Sequence, residues 1–225
     1  MLVSHSHGFI YFKTKKTAST STEIFFEPYC VADPLHRVEH STRQLVSNAG
    51  IVGSRRNGIL EGDSFYNHMP AVALREFIGQ RKFNSYLKIC NVRNPFDKMV
   101  SRFWWILSKR GTVGDYMHLS FDDIRKRFNL YIAQSGAGLL DNDRSSYFID
   151  GNSAADRYIR FEHLSEDIES TCSSLDIPYK SSSVGWYNNV IRHTNEPISA
   201  FYDDASKEKV ERIFSWDIRM FGYKL

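Results

Sequence analysis

Two short segments carry the residue types that could grip an anion. The first, Lys13-Thr-Lys-Lys-Thr-Ala-Ser-Thr-Ser-Thr-Glu23, sets Lys13, Lys15 and Lys16 close together and follows them with small and hydroxylated residues. Lysine brings point charge, the hydroxyls bring donors, and the open N–H groups at a helix start bring a fixed partial positive charge. The second, Arg93-Asn-Pro-Phe-Asp-Lys-Met-Val-Ser101, sets a guanidinium about two helical turns ahead of a serine. Arginine's planar fork matches two oxygens of one phosphate, and a hydroxyl can take a third. Each segment also has a plain reading, a solvated turn and a helix-start signal. The first lacks a Gly-rich loop ending in Gly-Lys-Ser/Thr, which argues against an ordinary ATP or GTP loop.

The flanking residues indicate what must position these groups. Phe9 to Phe12 reads as a buried strand, and Ile24, Phe25 and Phe26 open the apolar face of a helix whose start is marked by a capping box of Thr20 and Glu23. Ser85 to Val92 reads as a central strand. Asn94 is a helix N-cap and Pro95 a first helical residue, with an apolar stripe at Phe96, Met99, Val100, Phe103, Trp104 and Leu107. Trp105, beside that stripe, reads as core or as the wall of a cleft where a sugar ring could stack. Further strands are expected at Gly50 to Gly53 and Arg157 to Phe161. Helices are expected from Ala71 to Ile78, Phe121 to Ala133, Ser165 to Leu175, Lys207 to Phe214 and Asp217 to Phe221. Gln44-Leu-Val reads as a helical turn, and residues 134 to 152 as a surface loop. Strands alternating with helices predict an α/β fold: one domain over residues 1–225, with a central, mostly parallel sheet flanked by helices. In such a sheet ligands sit at the carboxyl ends of strands, where both segments fall.

The net charge of +3 suits an anionic ligand and lacks the strongly basic face of a nucleic-acid binder. Cys30, Cys90 and Cys172 are too dispersed for a metal site and read as buried free thiols of a reducing, cytoplasmic setting. His5 and His7 fall at what reads as a frayed terminus with no partner ligand, so no metal is expected. No apolar run reaches membrane-spanning length, and the first strand begins too early to leave room for a signal peptide.

The two segments resemble the paired motifs of sulfotransferases that use 3′-phosphoadenosine 5′-phosphosulfate (PAPS). Lys16-Thr-Ala-Ser-Thr-Ser21 resembles the 5′-phosphosulfate loop, in wording closest to heparan sulfate 2-O-sulfotransferases. Val92 to Ser101 resembles the 3′-phosphate motif. Asn67-His-Met-Pro70, Arg160-Phe-Glu-His-Leu164, Arg192-His-Thr194 and the ending Phe221-Gly-Tyr223 resemble later family segments more loosely. Lys15 stands where the family commonly has proline. The resemblance implies a P-loop-like sulfotransferase fold and in-line transfer of a sulfuryl group from PAPS to a carbohydrate hydroxyl, with adenosine 3′,5′-bisphosphate as product and no metal. It assigns Lys16 to the charge developing on the leaving group. Thr17, Ala18, Ser19, Thr20 and Ser21 fall to the 5′-phosphosulfate, and Arg93 and Ser101 to the 3′-phosphate. Arg192 and Thr194 would add contacts from a late loop. His68, between a strand end and a helix start, is the expected general base, with a packing or capping role as its plain alternative. Glu162 is the reserve base, or an arginine partner. A nucleotide or small-molecule kinase, or a non-catalytic nucleotide-binding module, are the competing functions.

Overall fold

The apolar residues that mark Phe9–Phe12 and Leu87–Val92 as strands are buried side by side in one sheet. The computed structural model describes residues 1–33, 35–39, 42–55, 62–180, 184–185, 192 and 194–225. Its elements in chain order are β1 (Leu2–Ser4), β2 (Phe9–Phe12), α1 (Ser19–Phe26), β3 (Leu45–Val46), β4 (Gly50–Val52), α2 (Ala71–Ile78), α3 (Gln80–Ser85) and β5 (Leu87–Val92). There follow α4 (Pro95–Lys109), α5 (Val113–Tyr116), α6 (Phe121–Gln134), α7 (Ala137–Leu140), β6 (Phe148–Ile149), β7 (Asn152–Ser153), β8 (Arg157–Arg160), α8 (Leu164–Leu175), α9 (Asp204–Ile213) and α10 (Ser215–Phe221). The chain divides into two compact units, Met1–Val92 with Asp143–Tyr187, and Arg93–Asn142 with Asn188–Leu225.

The first unit is α/β. Its sheet has six strands in the order β3-β4-β1-β2-β5-β8. The pairs β2–β5 and β5–β8 are parallel, while β1–β2, β1–β4 and β3–β4 are antiparallel. The sheet is therefore mixed rather than mostly parallel. The difference comes from the first residues, which are no frayed end: Met1, Leu2 and Val3 are buried, and β1 folds back on β2 through the turn His5–Gly8, where Gly8 has φ 63°. Gln44-Leu-Val contributes β3, a short strand and not a helical turn. The core beneath the sheet joins Phe9, Tyr11, Phe26, Ile89 and Ile159 to Ile168 and Cys172 of α8. All three cysteines are buried thiols outside any disulfide.

The second unit is helical. Asn94 caps α4 by accepting from the Phe96 N–H at 3.1 Å, and Ser120 caps α6 by accepting from the Asp123 N–H at 3.2 Å. The stripe expected on α4 is buried, and it packs with Phe128, Ile132, Phe201, Val210 and Phe214. Trp104 is fully buried, whereas Trp105 is 39% exposed. The expected surface loop at 134 to 152 is more ordered than its composition suggests. It carries α7 and the β6–β7 hairpin, and Leu140, Asp143, Ser146 and Tyr147 are buried. Among the described residues no helix is long and apolar enough to cross a membrane.

Candidate functional site

In the first unit, β2 ends at Phe12 and the chain turns through residues 13–18 into α1. The turn is held from beneath by Asn91, an amide side chain buried in β5. Its Nδ2 donates to the Thr17 carbonyl at 3.0 Å and to Thr22 Oγ1 at 2.9 Å, and its Oδ1 accepts from the Tyr11 hydroxyl at 2.7 Å. Thr14 Oγ1 donates to the Asn91 carbonyl at 2.7 Å, so the 2.8 Å contact between Thr14 and Thr17 has the Thr17 hydroxyl as donor. Ser19 Oγ donates to the Thr14 carbonyl. The hydroxyls of Thr17 and Ser19 thus brace the turn from inside, leaving the backbone as the natural source of donors toward a ligand.

The backbone is shaped for that task. Lys16 and Ala18 have positive φ, 61° and 59°, while Lys15 and Thr17 do not, so φ alternates in sign along the turn. Alternation of this kind turns successive N–H groups toward one concave side, a common anion cradle. One of these groups, the Lys15 N–H, donates to the buried carboxylate of Asp143. Helix α1 begins at Ser19 with Ala18 as N-cap and no side-chain cap. The expected capping box of Thr20 and Glu23 does not form, because Glu23 is drawn inward. It is fully buried and accepts from Lys13 Nζ at 2.6 Å and from the Met1 ammonium at 2.7 Å, with Arg55 at 3.5 Å. Burial alone would raise its carboxyl, but Lys13, the ammonium and Arg55 outweigh it and hold it well below the usual carboxylate range. Glu27, next along the same face, is also buried and pairs with Arg55 and with His36. Lys13 is therefore a structural cation, and its distance from the motif residue Lys16 is functional as well as sequential.

His68 belongs to this same assembly. Its Nδ1 is 2.9 Å from the Lys13 carbonyl. A carbonyl only accepts, so the ring proton lies on Nδ1 and the lone pair on Nε2. Burial lowers the imidazole to about 4; the Lys13 carbonyl opposes this, and the charges of Lys13 and Lys15 reinforce it. His68 itself has φ 57°, and its carbonyl accepts from Ser146 Oγ at 3.2 Å. Glu162, the reserve base, is exposed on the turn after β8. Arg160, two residues before it, donates to Asp167 through two contacts of 2.8 and 2.7 Å.

In the second unit Arg93 and Arg192 meet on one carboxylate. Arg93 Nε donates to Asp97 Oδ2 at 2.7 Å, and Arg192 donates to Asp97 Oδ1. Arg93 and Ser101 are both nearly buried, at 8% exposure. Residues 93, 97 and 101 follow one another at i, i+4 spacing along a single face at the start of α4. Thr194 Oγ1 accepts from the Glu196 N–H at 3.2 Å, while His193 lies outside the described residues. Three residues of these assemblies, Asn91, Asp97 and Asp143, are absent from the expectations above. Asn91 could have been noticed as the one amide in an apolar strand. Asp97 lay inside a quoted motif, but its role needs the late arginine. Asp143 carries no local signal. Among the described residues, no three His, Cys, Asp or Glu side chains group as a metal site.

No family model and no solved structure matches the chain. Among curated proteins it is similar to one from Archaeoglobus fulgidus that bears the name "Uncharacterized protein". The two are 31% identical over 110 residues, which span 49% of this chain and 84% of that protein.

Proposed function

The chain belongs to one family with that Archaeoglobus fulgidus protein, whose name states no activity, and we propose from the residues themselves that it is a PAPS-dependent sulfotransferase acting on a carbohydrate hydroxyl, with the P-loop-like fold of that class. The observation that carries this reading is the bond between His68 and the Lys13 carbonyl, because it makes the expected base and the expected phosphosulfate loop one hydrogen-bonded piece. A base selected for packing alone would have no need to be tied to an anion cradle with its Nε2 lone pair left as acceptor.

The residues present fit the donor. The alternating backbone from Lys16 to Ala18 suits the oxygens of a phosphosulfate, the Lys15 N–H being held by Asp143. Arg93, Arg192 and Ser101 suit a phosphomonoester. When bound, the donor supplies the sulfuryl group and a bisphosphate leaving group. Lys16 and the turn's N–H groups stabilise the charge that grows on the leaving oxygen, the largest electrostatic demand of such a transfer. His68 Nε2 takes the proton from the acceptor hydroxyl, and the Lys13 carbonyl keeps the other ring nitrogen protonated and the ring oriented. A ring lowered to about 4 is neutral at physiological pH, so the base form is fully present.

Thermal stabilisation by adenosine 3′,5′-bisphosphate against ADP tests the reading. The bisphosphate should raise Tm in the parent, and the rise should shrink in Arg93→Ala and in Lys16→Ala. A preference for ADP would turn the assignment toward a kinase. Sulfate transfer from labelled PAPS to a glycan panel then separates an enzyme from a binding module; binding without transfer to any glycan would leave only the module.

A further inference from the structure

An aspartate at a helix N-cap ordinarily turns its carboxylate to the N–H groups of its own helix. Asp143 does otherwise. It is the N-cap of the short 3₁₀ helix Arg144–Ser146, and its side chain makes no capping bond there. The carboxylate is fully buried and accepts from the Lys15 N–H, 128 residues away in sequence. Burying a carboxylate is costly, so its use on a distant backbone group asks for a reason. Three residues on, Ser146 is 1% exposed, and its Oγ donates to the His68 carbonyl at 3.2 Å. The turn between the two is closed by the Ser146 N–H, which donates to the Asp143 carbonyl at 2.9 Å. His68 reaches the Lys13 carbonyl through Nδ1 at 2.9 Å. These bonds complete a ring that runs from Lys13 to His68, to Ser146, to Asp143 and back to Lys15. All of its members lie in the α/β unit. Strained backbone lies in the ring and beside it, with φ 57° at His68 and 61° at Lys16. Such conformations persist only where the surroundings over-determine them, and His68 is gripped at both its ring and its carbonyl.

We infer that Asp143 and Ser146 are positioning residues, which hold the anion cradle and the base at one fixed spacing through the single turn between them. Asp143 fixes the entry to the cradle at Lys15, and Ser146 fixes the backbone of His68. The turn makes the two placements one. The names cradle and base rest on the function proposed above; the ring of bonds does not. In that function the acceptor hydroxyl must meet the sulfuryl group at near-attack distance, and a misplacement of about 1 Å can cost about a hundred-fold in rate.

The test uses the whole chain without nucleotide and reads each half of the ring from the other. Hydrogen exchange of the His68 Nδ1–H and of the Lys15 amide is followed by NMR in the parent, Asp143→Ala, Asp143→Asn and Ser146→Ala. Asp143 bonds the cradle, yet Asp143→Ala should speed exchange at His68 about ten-fold, the local stability of one hydrogen bond. Ser146 bonds His68, yet Ser146→Ala should speed exchange at Lys15 by about the same factor. Asp143→Asn keeps an acceptor oxygen for the Lys15 N–H, so its exchange at His68 should be slower than in Asp143→Ala. The amides of β5 should keep their parent rates. Ser146→Ala removes only a hydroxyl and keeps the test available should Asp143→Ala not fold. A change confined to the half that each residue touches would overturn the positioning role. Equal acceleration in β5 would overturn it too, since the turn would then merely stabilise the sheet. In sulfate transfer both alanine variants should lower kcat about ten- to a hundred-fold, and an unchanged kcat in both would count against positioning. Because the exchange measurement contains no nucleotide, its outcome is independent of whether the chain transfers sulfate.

Discussion

At His68 a single hydrogen bond and a buried ring give the pH dependence a direction. The unfolded chain protonates this histidine near its ordinary value of 6.5, the folded chain only near 4. Between those values the unfolded state binds more protons, so stability rises with pH. This contribution is complete above 6.5 and disappears as the pH falls toward 4, with an upper size of about 3 kcal/mol from the shift. Urea midpoints of the parent should therefore fall between pH 7.5 and 4.5, and should fall less in His68→Asn. Asparagine is the suitable replacement because it tolerates the φ of 57° that alanine would find strained. The same variant should lose most sulfate transfer while still being stabilised by the bisphosphate; normal turnover would remove His68 as base. Bound bisphosphate should also raise the His68 titration midpoint in NMR, since its charge opposes Lys13 and Lys15, and an unchanged midpoint would place the anion elsewhere.

At the level of elements, the turn before α1 is set by backbone rather than by a cap. Ala18 takes the left-handed conformation with no side chain helping it. A β-branched residue cannot follow, so Ala18→Val should cost about 2 kcal/mol or more and abolish bisphosphate stabilisation. Ala18→Gly should keep it. Asn91→Ala should cost about 2–3 kcal/mol in chemical denaturation, because it strips partners from Tyr11, Thr17 and Thr22 together; a loss under about 0.5 kcal/mol would show that the brace is idle. These cases show what the sequence makes legible. Strands β2 and β5 and helix α4 are readable because apolar runs and the Asn94-Pro95 start are local signals. The start of α1 is misread because Thr20 and Glu23 satisfy a local capping rule, while Glu23 answers to Lys13 and Arg55 across the fold. Asp143 is invisible for the same reason: its partner, the Lys15 N–H, is far away in sequence.

For the whole molecule, the sequence order conceals the grouping of the residues. Each unit is assembled from two separated stretches, and each has its own core. In the helical unit the aromatic cluster around Phe128 contacts Phe103, Phe201 and Tyr202 with ring centroids 5.5, 5.6 and 4.9 Å away. Phe128→Ala should cost about 3–5 kcal/mol in that unit, read from the fluorescence of Trp104 and Trp105. The cysteines report on the other unit, where Cys30, Cys90 and Cys172 are all buried. Burial pushes the Cys30 thiol well above its ordinary range and raises that of Cys172 to about 11. Thiol reagents should label them only at the rate at which the sheet opens, and rapid labelling of the native protein would contradict this burial.

Asp97 has a consequence for exchange. Arg93 and Arg192 already share its carboxylate, so an arriving anion must compete with a resident one. A monoanion such as a sulfate ester gains little by taking its place, whereas the second charge of a phosphomonoester dianion tips the competition. On the proposed function, Asp97 would act as a threshold that admits one class of anion and would return to the arginines as that anion departs, lowering the barrier to leaving. Asp97→Asn should discriminate less between sulfate and phosphate esters and should release the bisphosphate more slowly, as stopped-flow dissociation would show.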